Sequence, residues 1–325
     1  MTVARALVWT MFRLVLPIAL LLTISGRTSA QASISQMVQT EQGDGYELRY
    51  VYPKIGIPSA DATMQDWVHV LADGFKGVLP ERGAQEPQYS AQLTYAVARN
   101  DESVVSILFS YSIYTGGAHP NFTQTAFNFL TPDGARVFLP DLVGNDGIQR
   151  VSDLAIADLT ARLTGPDGMS DTDWINNGAA PFADNFETFE LLPDQLVIEF
   201  DPYAVAAYAA GPQKVRIPLT ELQDMLRPDP RAPLPSFDCA DARTRVERAI
   251  CSEMALAQLD RRIAEAFNMR LRFEAQGNQP PTVRAQQRAW LIERDAACAA
   301  SANTALVSCL AQQYASRLTA LQSFR

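Results

Sequence analysis

The chain has 325 residues, 47% of them hydrophobic and 19% charged, a globular balance that excludes collagen-like, low-complexity and wholly disordered classes. Its formal charge of −9 is unevenly spread: residues 33–235 hold 27 acidic and 12 basic side chains, and residues 236–325 hold 9 acidic and 12 basic. The first of these segments, at −15, repels nucleic acid and anionic lipid and steers toward a cationic partner.

Residues 1–32 read as a secretory signal peptide. Arg5 and Arg13 form a positive n-region, Leu14 to Ser25 is apolar, and Ala30-Gln31-Ala32 supplies a small-x-small cleavage site. An uncleaved anchor is the competing reading, but Arg13 shortens the apolar run to roughly a dozen residues where about 20 are needed to span a bilayer. Cleavage after Ala32 is expected. With no cysteine nearby for lipid attachment, the mature protein is expected to be soluble and periplasmic or secreted, with no membrane anchor.

Tyr46 to Val51 alternates as a strand does. Ser59 is placed to cap a helix whose face carries Met64, Trp67, Val68, Leu71, Phe75, Val78 and Leu79, and Pro80 ends it. Strands are expected at Gln92–Val97, Val104–Tyr114 and Phe122–Leu130. The last two are joined by a glycine-rich hairpin connection running Tyr114, Thr115, Gly116, Gly117, Ala118, His119, Pro120, Asn121. Pro132-Asp-Gly134 is a further turn. A second helix carries Ile148, Val151, Ala155, Leu159 and Leu163, strands follow at Gln195–Phe200 and Lys214–Ile217, and a short helix covers Thr220–Leu226. Strands with a few helices and no regular βαβ alternation predict an α+β domain over residues 33–226, an antiparallel sheet with packed helices. Four prolines in residues 227–236 mark an extended, semi-rigid linker as the boundary.

From residue 237 to 325 the period is purely helical. Leu256, Leu259, Ile263, Phe267 and Leu271 form one stripe, Val283, Trp290 and Leu291 a second, and Leu306, Leu310, Tyr314, Leu318 and Leu321 a third; Gly277 to Pro281 separates the first two. All four cysteines, Cys239, Cys251, Cys298 and Cys309, fall in this segment. An even cysteine count in an exported chain reads as a disulfide framework. Zinc is the alternative, disfavoured because no C-x-x-C occurs and both histidines lie far upstream. Three connectivities are possible. A continuous helix over 239–251 would hold its ends about 18 Å apart, too far for a bridge. Thr244-Arg-Val-Glu247 is a capping box that starts a helix at Thr244 and lets 239–243 fold back. Cys239–Cys251 and Cys298–Cys309 are therefore the expected pairs, the second clamping the turn between two antiparallel helices.

The search for catalytic patterns is negative: no G-x-S-x-G, S-x-x-K, G-x-G-x-x-G or H-E-x-x-H occurs. His69 and His119 are the only imidazoles, too few for a multi-histidine metal site, so no metal or cofactor is expected. The acidic pairs Asp171 with Asp173 and Asp133 with Asp141 read as solvated surface, although carboxylate pairs can serve glycoside hydrolysis. His119 has two readings: a recognition tip, or a histidine bonded to the hairpin's own carbonyls.

Phe237-Asp-Cys-Ala, Glu247-Arg-Ala-Ile-Cys251, Leu259-Asp260, Gln287-Arg-Ala-Trp290-Leu291, Arg294-Asp295, Cys298, Cys309-Leu310, Tyr314 and Arg317-Leu318 together resemble the LprI-type lysozyme-inhibitor domain over residues 237–323. That resemblance implies a helical envelope domain associated with inhibition of lysozyme. Glu247, Asp260, Trp290, Arg294, Asp295, Tyr314 and Arg317 match family positions; they read as packing across helical seams, with a binding patch as the alternative. Tyr114-Thr-Gly-Gly-Ala-His-Pro-Asn121, Asn128-Phe-Leu and Phe200-Asp-Pro-Tyr203 make residues 88–226 similar to the RsiV-type lysozyme-binding extracellular domain, also found beside the deacetylase domain of PdaC. Neither the sigma-factor-binding part nor a deacetylase domain of those families is present, so neither activity carries over. The expectation is a non-catalytic binding protein for lysozyme or another cationic protein, with the stiff loop around His119 entering a saccharide cleft. A peptidoglycan-modifying enzyme and a peptidoglycan-binding scaffold are the alternatives.

Overall fold

The alternation that starts at Tyr46 belongs to a longer hairpin, β1 (Ser35–Gly43) paired antiparallel with β2 (Tyr46–Lys54). The computed structural model describes residues 33–77, 79, 88–166, 168–276 and 282–323. The expected signal peptide, Val78, Pro80 and the break at 277–281 lie outside them. Helix α1 (Pro58–Gly77) follows, then β3 (Tyr89–Asn100), β4 (Val104–Tyr114), β5 (Asn121–Leu130) and the short β6 (Ala135–Arg136). These strands form one sheet in the order β1-β2-β3-β4-β5-β6.

The sheet departs from the antiparallel expectation at one place: β2 and β3 run parallel. A parallel pair needs a crossover, and α1 supplies it. Ser59 does not cap this helix. Pro58 occupies its first position, where the missing N–H costs nothing, and the Ser59 hydroxyl donates instead to Asp133 O at 2.6 Å.

Helix α2 (Leu139–Leu163) is kinked at Gly144, so it begins nine residues before the expected Ile148. Then come α3 (Thr172–Gly178), β7 (Phe189–Leu191), β8 (Gln195–Phe200) and β9 (Gln213–Pro218), the three strands forming a second antiparallel sheet. The expected helix at Thr220–Leu226 is only a 3-10 turn at Leu219–Glu221 followed by bends.

Strand β4 is buried on both faces, as its near-continuous apolar run requires. Val105, Ile107, Phe109 and Ile113 face α1, where Trp67 packs on Phe109 and Phe127 at 5.0 and 5.2 Å between ring centroids. On the opposite face Ser106 and Asn128 join the two sheets. Ser106 Oγ donates to Asn128 Oδ1 at 2.7 Å, Asn128 Nδ2 donates to Phe189 O at 2.8 Å, and Leu191 N donates back to Asn128 Oδ1 at 3.0 Å. These polar groups are buried but mutually satisfied, the condition under which burial is tolerated.

The C-terminal part holds α4 (Arg245–Ser252), α5 (Met254–Gln276), α6 (Val283–Cys298) and α7 (Asn303–Gln322). Both disulfides form as paired above, Cys239–Cys251 and Cys298–Cys309, each with its Cα atoms 5.8 Å apart. Thr244 and Glu247 form the capping box, with Glu247 N donating to Thr244 Oγ1 at 3.0 Å and Thr244 N to Glu247 Oε2 at 2.7 Å. Backbone N–H groups of Thr244 and Arg243 hold the Glu247 carboxyl below its ordinary range. Glu247 thus closes the cap of its own helix, and the charge of Arg294 on α6 adds to the lowering. Leu291 is exposed; the buried seam of α6 runs Val283, Trp290, Arg294 and Cys298, steps of seven, four and four.

Asp260 and Arg294 do not touch. The Tyr314 hydroxyl lies between them, donating to Asp260 Oδ1 at 2.7 Å and accepting from Arg294 Nη1 at 2.9 Å. Arg294 also pairs with Asp295 at 2.7 Å, and Arg317 Nε donates to Gln287 Oε1 at 2.9 Å. Trp290 packs edge-on against Tyr314, a core position.

Helix α5 joins the helical part to the sheets. Phe273 packs against Gly74 of α1, where a Cβ would stand 2.5 Å from the ring and leave no room. Glu265 pairs with Arg136, and Glu187 accepts from Asn268 Nδ2 at 2.6 Å and Arg272 Nη2 at 3.2 Å.

The proline-rich stretch 227–236 is bound on both sides. Leu234 N donates to Asp141 Oδ1 at 2.8 Å, Leu234 O accepts from Arg261 Nε at 3.1 Å, and Ser236 N and Oγ donate to Asp260 Oδ2 at 2.7 and 2.6 Å.

Replacing Tyr314 with Phe removes the hydroxyl while keeping the ring, and leaves Asp260 and Arg294 each short of a partner. The expected loss is about 1–3 kcal/mol, read by urea unfolding of the oxidised protein. A loss below about 0.5 kcal/mol contradicts this role.

Candidate functional site

The connection between β4 and β5 stands out of the large sheet. Gly116 and Gly117 have φ of 95° and 101°, a left-handed conformation that side chains other than glycine rarely adopt. Residues 116–121 are exposed, while Tyr114 and Thr115 are half-buried at the loop's base. Tyr114 Oη donates to Gly117 O at 3.2 Å, tying the turn to its own strand. His119 Nδ1 lies 3.0 Å from Pro120 O, which is the second of its two readings, yet the ring remains on the surface.

Tyr208 buttresses the loop from elsewhere in the chain. Its ring stacks on His119 with centroids 4.0 Å apart at 19°, and its hydroxyl donates to Pro120 O at 3.0 Å. Tyr203 continues the aromatic surface, 5.3 Å from Tyr208 and 56% exposed. Tyr203 is the one non-glycine residue with positive φ, at 71°, among the described residues. Such a conformation costs of order 1–3 kcal/mol and persists only where neighbours impose it. Here Trp174 Nε1 donates to Tyr203 O at 2.9 Å, and Asp201 Oδ1 accepts from Gln124 N at 2.7 Å, pinning the turn to β5. The sequence singled out the loop and, separately, Phe200-Asp-Pro-Tyr203, but not that Tyr203 lies near the loop, nor Tyr208 and Trp174. The available signal was two tyrosines within a Pro- and Gly-bounded stretch, 202–211.

The acidic pairs do not face each other. Asp171 caps α3 by accepting from Trp174 N at 2.7 Å, and Asp173 is exposed in its first turn. Asp133 pairs with Arg231, whereas Asp141 is buried and accepts from Phe138 N and Leu234 N. Burial raises Asp141 above its ordinary range. Glu199 is also raised, chiefly by burial, although Lys214 Nζ lies 2.5 Å from it; Glu190 shares that lysine at 3.7 Å. This cluster belongs to the second sheet rather than to the loop. Among the described residues no three His, Cys, Asp or Glu side chains are placed to share a metal ion. Nor is any described helix long and apolar enough to cross a membrane.

Burial lifts the Asp201 carboxyl to about 6. An unfolded aspartate titrates near 3.9, so between about 4 and 6 the folded form keeps a proton that the unfolded form has lost. Stability from this group therefore falls as pH rises through that window, and above it the buried charge is a full cost. Asp201→Asn keeps the acceptor for Gln124 N and removes the charge. It is expected to stabilise by up to about 3 kcal/mol at pH 7.5 and by almost nothing at pH 4. An equal gain at both pH values, or none, contradicts the assignment.

Comparison with known proteins matches three segments of the chain. Residues 238–321 match the family model of the lysozyme inhibitor LprI, residues 39–122 that of the deacetylase PdaC, and residues 121–220 that of a family of unknown function, DUF3298. The peptidoglycan-N-acetylmuramic acid deacetylase PdaC of Bacillus subtilis is 28% identical over 135 residues, 41% of this chain and 28% of that protein. The chain thus spans little more than a quarter of that relative. A DUF3298 protein of Bacteroides fragilis is similar at 19% identity and a TM-score of 0.45, the match covering 62% of this chain and 96% of that one. Another from Pseudomonas aeruginosa is similar at 16% identity and 0.42, covering 62% and 97%. The chain therefore carries an LprI-type domain of the lysozyme-inhibitor family at its C-terminal end, preceded by PdaC and DUF3298 segments.

Proposed function

We propose that the mature chain is a non-catalytic envelope protein, periplasmic or secreted, that binds lysozyme or a similarly cationic protein and blocks it. The observation that carries this reading is the rigid, exposed 114–121 loop, buttressed by Tyr208, on a segment with a net charge of −15. Long-range attraction between that segment and a cationic enzyme speeds encounter and weakens with salt. A loop fixed before binding loses little entropy on insertion into a cleft. Its exposed imidazole and Asn121 then offer polar contacts where a saccharide would lie, and no chemistry is required. The LprI match at 238–321 supports the same class of partner.

A second reading is peptidoglycan binding, favoured by the PdaC match over 39–122, which includes the whole loop. Co-sedimentation of the chain with purified sacculi separates the two readings, and zymography on cell walls tests for enzymatic activity.

Digestion of labelled cell walls by an animal lysozyme should slow when residues 33–325 are added at micromolar concentration. The double substitution H119A/N121A is expected to weaken this by about tenfold, or 1.4 kcal/mol, and D171A/D173A by much less. No slowing, together with no salt-sensitive complex, would sink the proposal. Equal effects of the two variants would replace the loop with diffuse charge.

A further inference from the structure

Where α5 and the 231–236 stretch meet α1 there is a cleft of about 300 Å³. This is the lower end of the usual size for small-molecule sites, and such sites favour junctions between structural units. Four arginines line it, Arg136, Arg231, Arg261 and Arg262, against two carboxylates, Asp66 and Glu265. Arg136 and Arg231 come from the acidic segment 33–235, Arg261 and Arg262 from the more basic segment 236–325.

Two of the four guanidinium groups are already engaged. Arg136 pairs with Glu265 and lies over Phe127 and Phe138, 4.0 and 4.7 Å from their centroids. Arg231 donates to Thr131 O at 2.7 Å and pairs with Asp133. The other two keep donors to spare, although Arg261 also lies over Phe138, 5.4 Å from its centroid. Arg262 is exposed and has no hydrogen-bond or ion-pair partner among the described residues. Arg261 is only 8% exposed, and its single hydrogen bond there runs from Nε to Leu234 O, leaving both Nη groups without an acceptor.

The carboxylates around Arg261 are committed elsewhere. Asp141 accepts from Phe138 N and Leu234 N, Asp260 from Ser236 and Tyr314, and Glu187 from Asn268 and Arg272; Asp184 is exposed. Burial lowers Arg261 from its ordinary value despite these neighbours. A planar fork of N–H donors lining the cleft, beside the exposed guanidinium of Arg262, is matched by a carboxylate, which accepts two parallel hydrogen bonds. Trp67, Phe127, Phe138 and Met269 supply an apolar wall for the rest of a ligand.

We propose that this cleft binds a small organic carboxylate with an apolar flank, of the size of a sugar acid or a dipeptide, held by Arg261 and Arg262. The site is separate from the 114–121 loop and does not depend on the lysozyme reading.

Calorimetric titration of residues 33–325 tests it with three probes: N-acetylmuramic acid, an N-acetylated dialanine, and neutral N-acetylglucosamine. At least one acid should bind saturably, with the neutral sugar weaker by about tenfold or more. Binding of the sugar acid alone marks a glycan source, of the dipeptide alone a peptide source, and of both a site that reads the carboxylate itself. R262E should weaken the acid by about tenfold with the melting temperature unchanged, because Arg262 has no partner to lose. R261K, which keeps the charge but not the fork, should weaken it likewise if the variant folds. The proposal fails if neither acid saturates by about 10 mM, or if R262E binds as the parent does.

Discussion

Two neighbouring charges on α5, Asp260 and Arg261, hold the halves of the molecule to each other. Asp260 accepts from Tyr314 on one side and from Ser236 on the other, while Arg261 donates to Leu234. Asp141, from the sheet side, takes Leu234 N. The proline-rich stretch is thus gripped at Leu234 and Ser236, Leu234 by groups from both halves. Desolvating such charges is expensive and their partners offset part of it, so loosening one member leaves its neighbours short of a bond. The docking of α5, the Phe273–Gly74 contact and the cleft all follow from that fixed geometry.

The loop around His119 lies in the other half, and its rigidity has a different origin. Two left-handed glycines, a tyrosine bonded to its own turn and a stacked Tyr208 define it without any contact from the helical part. The strained Tyr203 fits the same picture, since Trp174 and Asp201 hold its turn against β5. The raised carboxyl beside that turn, Asp201, owes its shift to burial.

Much of this was legible in the residues. The capping box at Thr244–Glu247 made the Cys239–Cys251 bridge geometrically possible, and the three-and-four spacing from Met64 to Phe75 located α1. Strand β1 was missed because it is polar and exposed along most of its length, so its alternation carries no apolar signal. The parallel β2–β3 pair is a consequence of where α1 returns the chain, which no local pattern states. The aromatic neighbours of His119 depend on contacts 88 residues apart in the chain, and Leu291 was misplaced because one apolar residue cannot show which side of a helix is the seam. That Asp260 and Arg294 meet across the seam through the Tyr314 hydroxyl is beyond what charge alone states, because one hydroxyl serves both.

The proposed contact with the partner runs through the 114–121 loop. Hydrogen–deuterium exchange of the mature chain, with and without saturating animal lysozyme, tests it most directly. Slowed exchange in residues 114–121 and 201–208, with α6 and α7 unchanged, is the predicted result. Protection confined to α6 and α7, or no protection anywhere, would contradict it.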